Sequence, residues 1–388
     1  MRTIKRGTSL FSTTTPGEYF LGTSTRAIRI YTAEQRTIAE YLAQGVSEDA
    51  IAQTTGFSPI AIHNLITELS HESLIDTSQG TITLNNRFIS KLDKRAHKNS
   101  RPERDGAFVQ LQNRIKPELS QSTWLPGTTD GGVATVNERQ NYLIEISGGN
   151  RVATLLYTLL LTSGFTQVRF TESARGKSAA IGDLDIGVAG ISAPDYGFVF
   201  TKNREDLRRD YSLFPLDKSA NYQDQASTPD LEIHCGDIDP EKLSLWMSYS
   251  QPFLHIPHPL GGRAEIGPLV IPGKTPCLRC AELAERDQSG ITAQQSLRLD
   301  DNYEYPQIAA HGIAAIAASQ VVAYCDALTL SSGDNDLSRD TDSSSDSKKR
   351  FEKTHPTVCG KIIAIDYNQL AEPQVVAIAR HPLCGCAF

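Results

Sequence analysis

The sequence predicts an α/β protein in which a domain with a mostly parallel sheet and a four-cysteine metal site follows a small α+β domain. Alternating strand and helix patterns from about Tyr142 onward predict the sheet. Three helical segments with capping residues precede that region. Two close cysteine pairs, one in the middle of the chain and one near its end, predict the metal site. A chain of 388 residues is also too long for one typical core.

Composition and charge favour a globular protein and disfavour two classes of partner. Hydrophobic residues make up 39% of the chain and charged residues 21%, which provides enough apolar surface to offset chain entropy. The net charge of −7 gives no bulk attraction for nucleic acid or an anionic membrane. The first 20 residues hold a Lys/Arg pair without the apolar stretch of a signal peptide, so we expect a cytoplasmic protein.

One segment is long enough to span a membrane. It is the Ala-rich stretch Ile308–Leu330. Because it contains polar residues, among them His311 and Asp326, we expect a buried helix of a soluble protein instead.

Three helices are predicted in the first domain, which we place at residues 1–90. The first helix ends at Gly45, and the second runs from its N-cap Ser47 to Gly56. The third has Ser58 as its N-cap and a proline at its first position.

A hairpin over residues 74–84, with its turn at Gly80, completes the pattern of a winged helix. Winged helices often bind DNA through the third helix, but here that helix has Glu68 and Glu72 and no Lys or Arg. Carboxylates repel phosphate, so a DNA-binding regulator is the least favoured interpretation. Two alternatives remain, namely a hairpin edge that accepts an extended peptide and a packing or dimerisation module.

Two polar segments divide the rest of the chain. Residues 91–140 are predicted to be a linker and connecting segment, because 91–105 is rich in charge and poor in apolar residues. Residues 331–350 have almost no apolar side chains, which predicts a disordered insertion or flexible loop within the second domain, 141–388.

The second domain begins with a strand, a glycine turn, an apolar helix and another strand over residues 142–173. Such a βαβ unit is right-handed with parallel strands. Further strands are expected in PDLEIHCGD, PFLHIPHPL and GPLVIPG, and an antiparallel pair in KIIAIDY and QVVAIAR.

Four of the seven cysteines form two close pairs, Cys277 with Cys280 and Cys384 with Cys386. Because cytoplasmic proteins do not normally keep structural disulfides, such pairs favour a metal. Four thiolates suit one tetrahedral Zn²⁺ at about 2.3 Å. A closed site of this kind leaves no open position, so we expect structural zinc. A redox pair and inert buried thiols are the alternatives.

The glycine turn of the βαβ unit is a candidate nucleotide site. Gly148 and Gly149 stand where a strand meets a helix, a place where backbone N–H groups can hold a phosphate. The usual G-x-G-x-x-G pattern is eroded, because Asn150 and Ala153 replace its second and third glycines. Glu172, after the next strand, has the position of a ribose-binding acid. The alternative is a βα turn that binds no nucleotide.

Three further groups have candidate roles. Asp237 follows a predicted strand and can hold Mg²⁺ beside a phosphate, with a helix cap or turn residue as the alternative. His255 and His258 flank a strand and are more simply explained as structural histidines. Cys359 has no activating neighbour in the sequence, which favours an ordinary thiol over a nucleophile.

These motifs resemble the ThiF or E1-like superfamily. The resemblance rests on GPLVIPGKTPCLRC, HPLCGC, the glycine turn and the Ala-rich helix, and it covers essentially the whole chain. More specifically, the chain resembles a bacterial branch in which a winged-helix peptide-binding module precedes a Rossmann-like E1 domain, as in bacteriocin cyclodehydratase partners. The resemblance implies ATP and Mg²⁺ as cofactors, a four-cysteine zinc site and adenylation of a C-terminal carboxylate.

The resemblance also implies roles for single residues. It places zinc on the four paired cysteines, phosphate at Gly148 and Gly149, ribose at Glu172 and magnesium at Asp237. The implied partner is a peptide or small carrier protein, with a partner modification enzyme in some members, and a homodimer is expected.

The chain departs from active members in one stretch. The Asn-Leu-x-Arg-Gln motif expected after the ribose acid is missing, and Arg175 and Lys177 are the candidates to replace its Arg. Lys202 and Arg204 are the candidates for the downstream Lys of the family. Two functions therefore remain open. One is an enzyme that adenylates a peptide or carrier-protein carboxylate, and the other is a degenerate scaffold that binds a precursor leader peptide for a partner enzyme.

Overall fold

The structure, a computed structural model, describes residues 2–78, 80, 82, 102–125, 127–148, 150–170, 207, 211–214, 228–290, 304–333 and 356–387. The chain forms two compact units. The first comprises Met1–Glu138 with Asp326–Thr354, and the second comprises Arg139–Cys325 with His355–Phe388.

The three helices predicted near the N-terminus are present in the first unit. They are α1 (Ala33–Ala43), α2 (Glu48–Thr55) and α3 (Pro59–His71). Ser47 and Ser58 accept hydrogen bonds from backbone N–H groups in the first turns of α2 and α3, as their N-cap positions predict. The helices bury apolar faces in one core, which includes Ile38, Leu42, Ile51, Leu65 and Ile66.

Short strands complete the first unit, and the sequence does not predict any of them except β5. An antiparallel meander consists of β2 (Ser9–Ser12), β3 (Tyr19–Gly22) and β4 (Ala27–Ile30). The two-residue strands β1 (Thr3–Ile4) and β5 (Ile75–Asp76) pair with each other. β5 lies in the first arm of the predicted hairpin. Most of the second arm lies outside the described residues, so the winged helix stays a prediction.

The predicted connecting segment contains two helices, α4 (Pro102–Ser122) and α5 (Val133–Glu138). The buried side chain of Lys5 attaches the N-terminal strand to this segment. Its Nζ donates hydrogen bonds to the carbonyl oxygens of Thr123 and Thr128 at 3.0 and 2.7 Å. This part of the segment is therefore packed within the first unit.

The second unit is built on the sheet that the alternating pattern predicts. Its strands are β6 (Leu143–Ser147), β7 (Gln167–Phe170), β8 (Leu231–Cys235), β9 (Phe253–Ile256) and β11 (Leu269–Val270), in the spatial order β11-β9-β8-β6-β7. β6 to β9 are parallel, and β11 is an antiparallel edge. Because β7 and β8 lie on opposite sides of β6, a topological switch point lies between the carboxyl ends of β6 and β8, where ligands bind in open α/β sheets.

A second, antiparallel sheet consists of β10 (Arg263–Ile266), β12 (Lys361–Asp366) and β13 (Gln374–Ala377). The predicted pairing of the last two strands is confirmed. The sequence does not predict β10, because four alternating residues are too short a pattern. Its pairing with the distant β12 makes it a strand.

The described residues of the second unit include the helices α6 (Arg151–Thr162), α7 (Pro240–Ser248), α8 (Leu278–Ser289) and α9 (Gln307–Gly333), the last of which continues into residues of the first unit. Among the described residues, α9 alone is long and apolar enough to cross a membrane, and 56% of its most apolar stretch is buried. Core helices of soluble proteins have the same properties. Ser331–Gly333 extend α9, which corrects the predicted start of the insertion at 331. Residues 334–350 lie outside the described part.

Candidate functional site

The four paired cysteines meet in one cluster. Cys277 is the N-cap residue of α8 and Cys280 lies in its first turn, while Cys384 and Cys386 follow β13. All four Sγ atoms lie within 4.8 Å of one another. The shortest separations, Cys277–Cys384 and Cys280–Cys386, are both 3.4 Å. A disulfide requires about 2.05 Å, and all four cysteines are free thiols.

The sulfur spacing fits one tetrahedral metal ion. Four thiolates at about 2.3 Å from a zinc ion would lie about 3.8 Å from one another. The observed separations, from 3.4 to at most 4.8 Å, bracket that value. The cluster can therefore hold a metal ion with four sulfur ligands. Four protein ligands complete a tetrahedral site, which suits a structural ion rather than a catalytic one.

Backbone donors favour the thiolate form of Cys280. Burial acts to raise the pKa of this thiol, but the backbone groups of His381 and Cys277, together with the Cys386 and Cys384 side chains, outweigh burial, and the pKa is lowered. The backbone nitrogen of His381 lies 3.4 Å from Cys280 Sγ, and its ring is held by Asp287 at 2.9 Å. Contacts of this kind orient metal ligands.

Gly148 stands at the switch point, directly after β6. Its φ angle is +113°, and a Cβ atom here would lie 2.1 Å from the carbonyl oxygen of Cys235 at the end of β8. Both the backbone angle and this contact exclude a side chain, so the position requires glycine. Gly149, the other predicted phosphate-loop residue, lies outside the described residues.

Asn150, which replaces a glycine of the usual fingerprint, is the N-cap residue of α6. Its Oδ1 accepts a hydrogen bond from the N–H of Ala153 at 2.9 Å. Only 4% of Asn150 is exposed. Its Nδ2 has no hydrogen-bond partner in the part of the chain that the structure describes. The Asn150 side chain therefore caps the helix through its oxygen, while its buried amide nitrogen has an N–H group that is free of any acceptor among the described residues.

A carboxylate from a distant part of the chain lies at the first turn of α6. Both oxygens of Glu304 are 3.3 Å from the backbone nitrogen of Arg151. The Arg151 side chain in turn donates to the carbonyl oxygen of Tyr305 at 2.9 Å. Sequence reasoning missed this contact because 153 positions separate Glu304 from Arg151 and no local pattern signals it.

Three neighbouring strands place a row of polar side chains beside the switch point. Ser147, His234 and His255 are in register on β6, β8 and β9. His234 Nε2 lies 2.7 Å from the carbonyl oxygen of Asp237 and must donate to it, so Nδ1 accepts the hydroxyl proton of Ser147 at 2.7 Å. Lys242 of α7 donates to the same hydroxyl at 3.2 Å.

Glu232 lies on the same face of β8, two residues before His234, and is 7% exposed. Burial, together with the neighbouring Glu145, raises the pKa of Glu232 to about 7, although Lys242 opposes the shift. Its Oε2 has no hydrogen-bond partner among the described residues. The Glu232 carboxyl therefore titrates near neutral pH, and it lies on β8, close to the switch point.

The predicted magnesium acid, Asp237, follows β8 and is exposed. It is not the cap of the next helix, because Asp239 is the N-cap of α7 and accepts from the Glu241 N–H. The predicted ribose acid Glu172 lies outside the described residues. The candidates for the missing Arg, Arg175 and Lys177, and those for the downstream Lys, Lys202 and Arg204, also lie outside them.

The surroundings of His255 and Cys359 favour structural roles for both residues. His255 Nε2 donates to the carbonyl oxygen of Gly236 at 2.9 Å, and burial lowers the pKa of His255 to about 4, so the ring is neutral. Burial raises the pKa of the Cys359 thiol to about 12, which suits an ordinary thiol rather than a nucleophile.

A cavity of about 1150 Å³ extends from Asp237 to the cysteine cluster. Leu243 and Met247 of α7 form part of its wall, and His258 and Cys384 line it elsewhere. Its volume lies just above the usual range for ligand pockets, about 300–1,000 Å³, and can accommodate a short peptide segment.

The parallel sheet with β7 and β8 on opposite sides of β6, and the glycine turn at its switch point, belong to a fold that this chain shares with solved structures over its full length. The chain is similar to E. coli MccB in complex with MccA-N7isoASN, with a TM-score of 0.58 and 13% identity over 100% of this chain and 99% of that one. For MccB with ATP, the TM-score is 0.57 at 14% identity, with 100% and 99% covered.

A heterocyclase in complex with substrate and cofactor also matches, with a TM-score of 0.51 and 13% identity over 100% of this chain and 39% of the heterocyclase. At such identities the similarity establishes the fold. No protein-family model matches the chain. No curated protein sequence matches it.

Proposed function

We propose that this protein uses ATP to adenylate the carboxylate of a peptide or small carrier protein, in the modification of a ribosomally made, bacteriocin-type peptide. The observation that carries the proposal is the Gly148 turn at the switch point of an MccB-like fold, with Asp237 after the neighbouring strand. MccB has been solved with ATP and with the peptide MccA. Equivalent ligands are proposed here from the shared fold.

Each predicted residue has a role in this proposal. The turn at Gly148 and Gly149, with the first turn of α6, would hold phosphate, because helix N-termini attract anions. Glu172 would bind the ribose. Asp237 would hold Mg²⁺, which supplies positive charge beside the phosphates.

The proposed reaction is attack by a carboxylate oxygen of the peptide on the α-phosphorus of ATP. The bond to the β-phosphate breaks, pyrophosphate leaves, and an acyl-adenylate forms. The cavity is a suitable place for the carboxyl end of the peptide, since the proposed magnesium residue Asp237 forms part of its lining.

Zinc is the ion that we propose for the cysteine cluster. Four thiolates select soft or borderline ions, and the sulfur spacing suits tetrahedral coordination. The ion would join the start of α8 to residues 384–386 and so fix the last part of the chain to the second unit.

The alternative function is a degenerate scaffold that binds a precursor leader peptide for a partner enzyme. Two observations favour it. Asn150 stands in place of a fingerprint glycine, and Glu304 already lies at the N-terminus of α6, where a phosphate would bind.

The proposed partners are a peptide or carrier protein, a modification enzyme and a second copy of the chain, in the cytoplasm. The first unit would bind the peptide as a winged-helix module. We do not propose binding of nucleic acid, because the exposed face of α3 presents Glu68 and lacks Lys and Arg.

The decisive experiment is ATP–pyrophosphate exchange with candidate peptides, combined with calorimetry using ATP and Mg²⁺. Peptide-dependent exchange would support the enzyme. Binding of a leader peptide without ATP binding at millimolar concentration would replace the enzyme with the scaffold.

A further inference from the structure

The first turn of α6 has the properties of an oxyanion site. The helix has 12 residues, long enough for its dipole to attract negative charge at the N-terminus. An oxyanion is already present there, because the Glu304 carboxylate faces the backbone nitrogen of Arg151 with both oxygens at 3.3 Å. Glu304 Oε1 also accepts from the N–H of the adjacent Tyr305 at 2.8 Å.

A second donor at the same helix end has no acceptor. The amide orientation of Asn150 follows from its cap bond, since Oδ1 must accept from Ala153 N–H and Nδ2 is therefore the other atom. Asn150 is 4% exposed, and within the described residues its Nδ2 is unpartnered. A buried donor without an acceptor costs free energy.

The two oxygens of the Glu304 carboxylate share one backbone N–H of this helix end. Charge-assisted N–H···O bonds are usually about 2.7–2.9 Å long, whereas those from Arg151 measure 3.3 Å. A phosphate group has more oxygens and more charge than a carboxylate. It can accept from the helix backbone and from the Asn150 amide at the same time.

We propose that the N-terminus of α6 is a phosphate site in which Glu304 is an exchangeable internal occupant, and that Asn150 Nδ2 donates to the phosphate once the Glu304 side chain has moved away. The inference rests on the proposed function, because it takes the phosphate to belong to a nucleotide. Glu304 then competes with the nucleotide and sets its affinity. Asn150 stands where the usual fingerprint has a glycine. Its side-chain amide then binds the phosphate, as backbone N–H groups do in the usual fingerprint.

The first test is calorimetry of the full-length protein with two probes, ATP·Mg²⁺ and inorganic tripolyphosphate, at low ionic strength. Glu304→Gln keeps the size of the side chain and removes its charge, so both probes should bind about five- to tenfold more tightly. Glu372→Gln is the matched control. It removes one negative charge from an exposed position in the same unit and should leave both affinities unchanged.

The second test is Asn150→Asp, which retains a cap oxygen for Ala153 and removes the unpartnered donor. We expect the thermal midpoint to be maintained, because Asp caps helices as well as Asn does. We expect both probes to bind at least tenfold more weakly, because a phosphate would then face a carboxylate.

The outcomes separate this inference from the proposed function. Tighter tripolyphosphate binding by Glu304→Gln without any ATP binding would support the oxyanion site and remove the nucleotide function. Affinities of Glu304→Gln no higher than those of the wild type would overturn the inference, even if the protein adenylates peptides. An absence of binding of both probes to every variant would also overturn it.

Discussion

The Sγ atoms of Cys277 and Cys384 lie 3.4 Å apart, although 107 positions separate the two residues in the chain. The contact joins the N-terminus of α8 to the segment after β13. Four free thiols gain little free energy from lying this close together. A metal ion bonded to all four sulfurs at once would hold them at such distances.

Removal of one cysteine from the cluster should abolish metal binding and lower stability. Cys384→Ser replaces a soft thiolate with a hydroxyl, so about one ion per chain should be lost. Metal content by mass spectrometry and the thermal midpoint measure the two effects. Cys359→Ser is the control, because Cys359 lies outside the cluster and the variant should retain the metal. Equal metal content in both variants would contradict the site.

Gly148→Ala should destabilise the second unit strongly. A β-carbon would lie 2.1 Å from the Cys235 carbonyl oxygen, at a φ angle of +113°. We expect a loss of about 3 kcal/mol or more in the free energy of unfolding, measured by urea denaturation. Gly261→Ala is a matched control with positive φ but open space around its Cβ position, and it should cost only about 1 kcal/mol. Similar losses of unfolding free energy in both variants would contradict the prediction. They would show that the backbone moves enough to remove the contact with the Cys235 carbonyl oxygen.

Glu232→Gln should stabilise the protein at alkaline pH. Since the pKa of folded Glu232 is about 7, above the 4.5 of an exposed glutamate, its ionisation progressively reduces stability between about pH 4.5 and 7. The reduction is complete above that range. Gln cannot ionise, so the variant should gain about 2–3 kcal/mol at pH 8 and almost nothing at pH 4.5. Urea denaturation across this pH range measures the difference. A gain independent of pH would rule out the ionisation of Glu232 as its cause.

Lys242→Met should shift the titration of Glu232 further upward. The Lys242 ammonium lowers the pKa of Glu232 against the larger effect of burial, and Met keeps most of its apolar stem over the Trp246 ring. Side-chain carboxyl NMR of wild type and variant measures the pKa directly. An unchanged titration would mean that Lys242 does not act on this carboxyl.

Local signals in the sequence predicted α1 to α3 of the first unit well, whereas α4 and α5 lie in the stretch predicted as a linker and connecting segment. Ser47 and Ser58 cap helices because a hydroxyl close in sequence to free backbone N–H groups satisfies them without help from the rest of the chain. The βαβ unit around Gly148 is likewise encoded by short-range periodicity. The strands β1 and β10 were missed because their partners, β5 and β12, are remote in sequence and each strand is too short to show a pattern.

The amino-acid sequence by itself determined the boundaries of α1 to α3, the parallel strands of the second unit and the four cysteines that can share one ion, since capping, periodicity and cysteine spacing act over a few residues. Only the tertiary structure decided which distant groups meet. It placed Glu304 against Arg151, aligned Ser147, His234 and His255 across three strands, and closed the cysteine cluster. Such contacts depend on the packing of whole elements, and no local pattern in the chain encodes them.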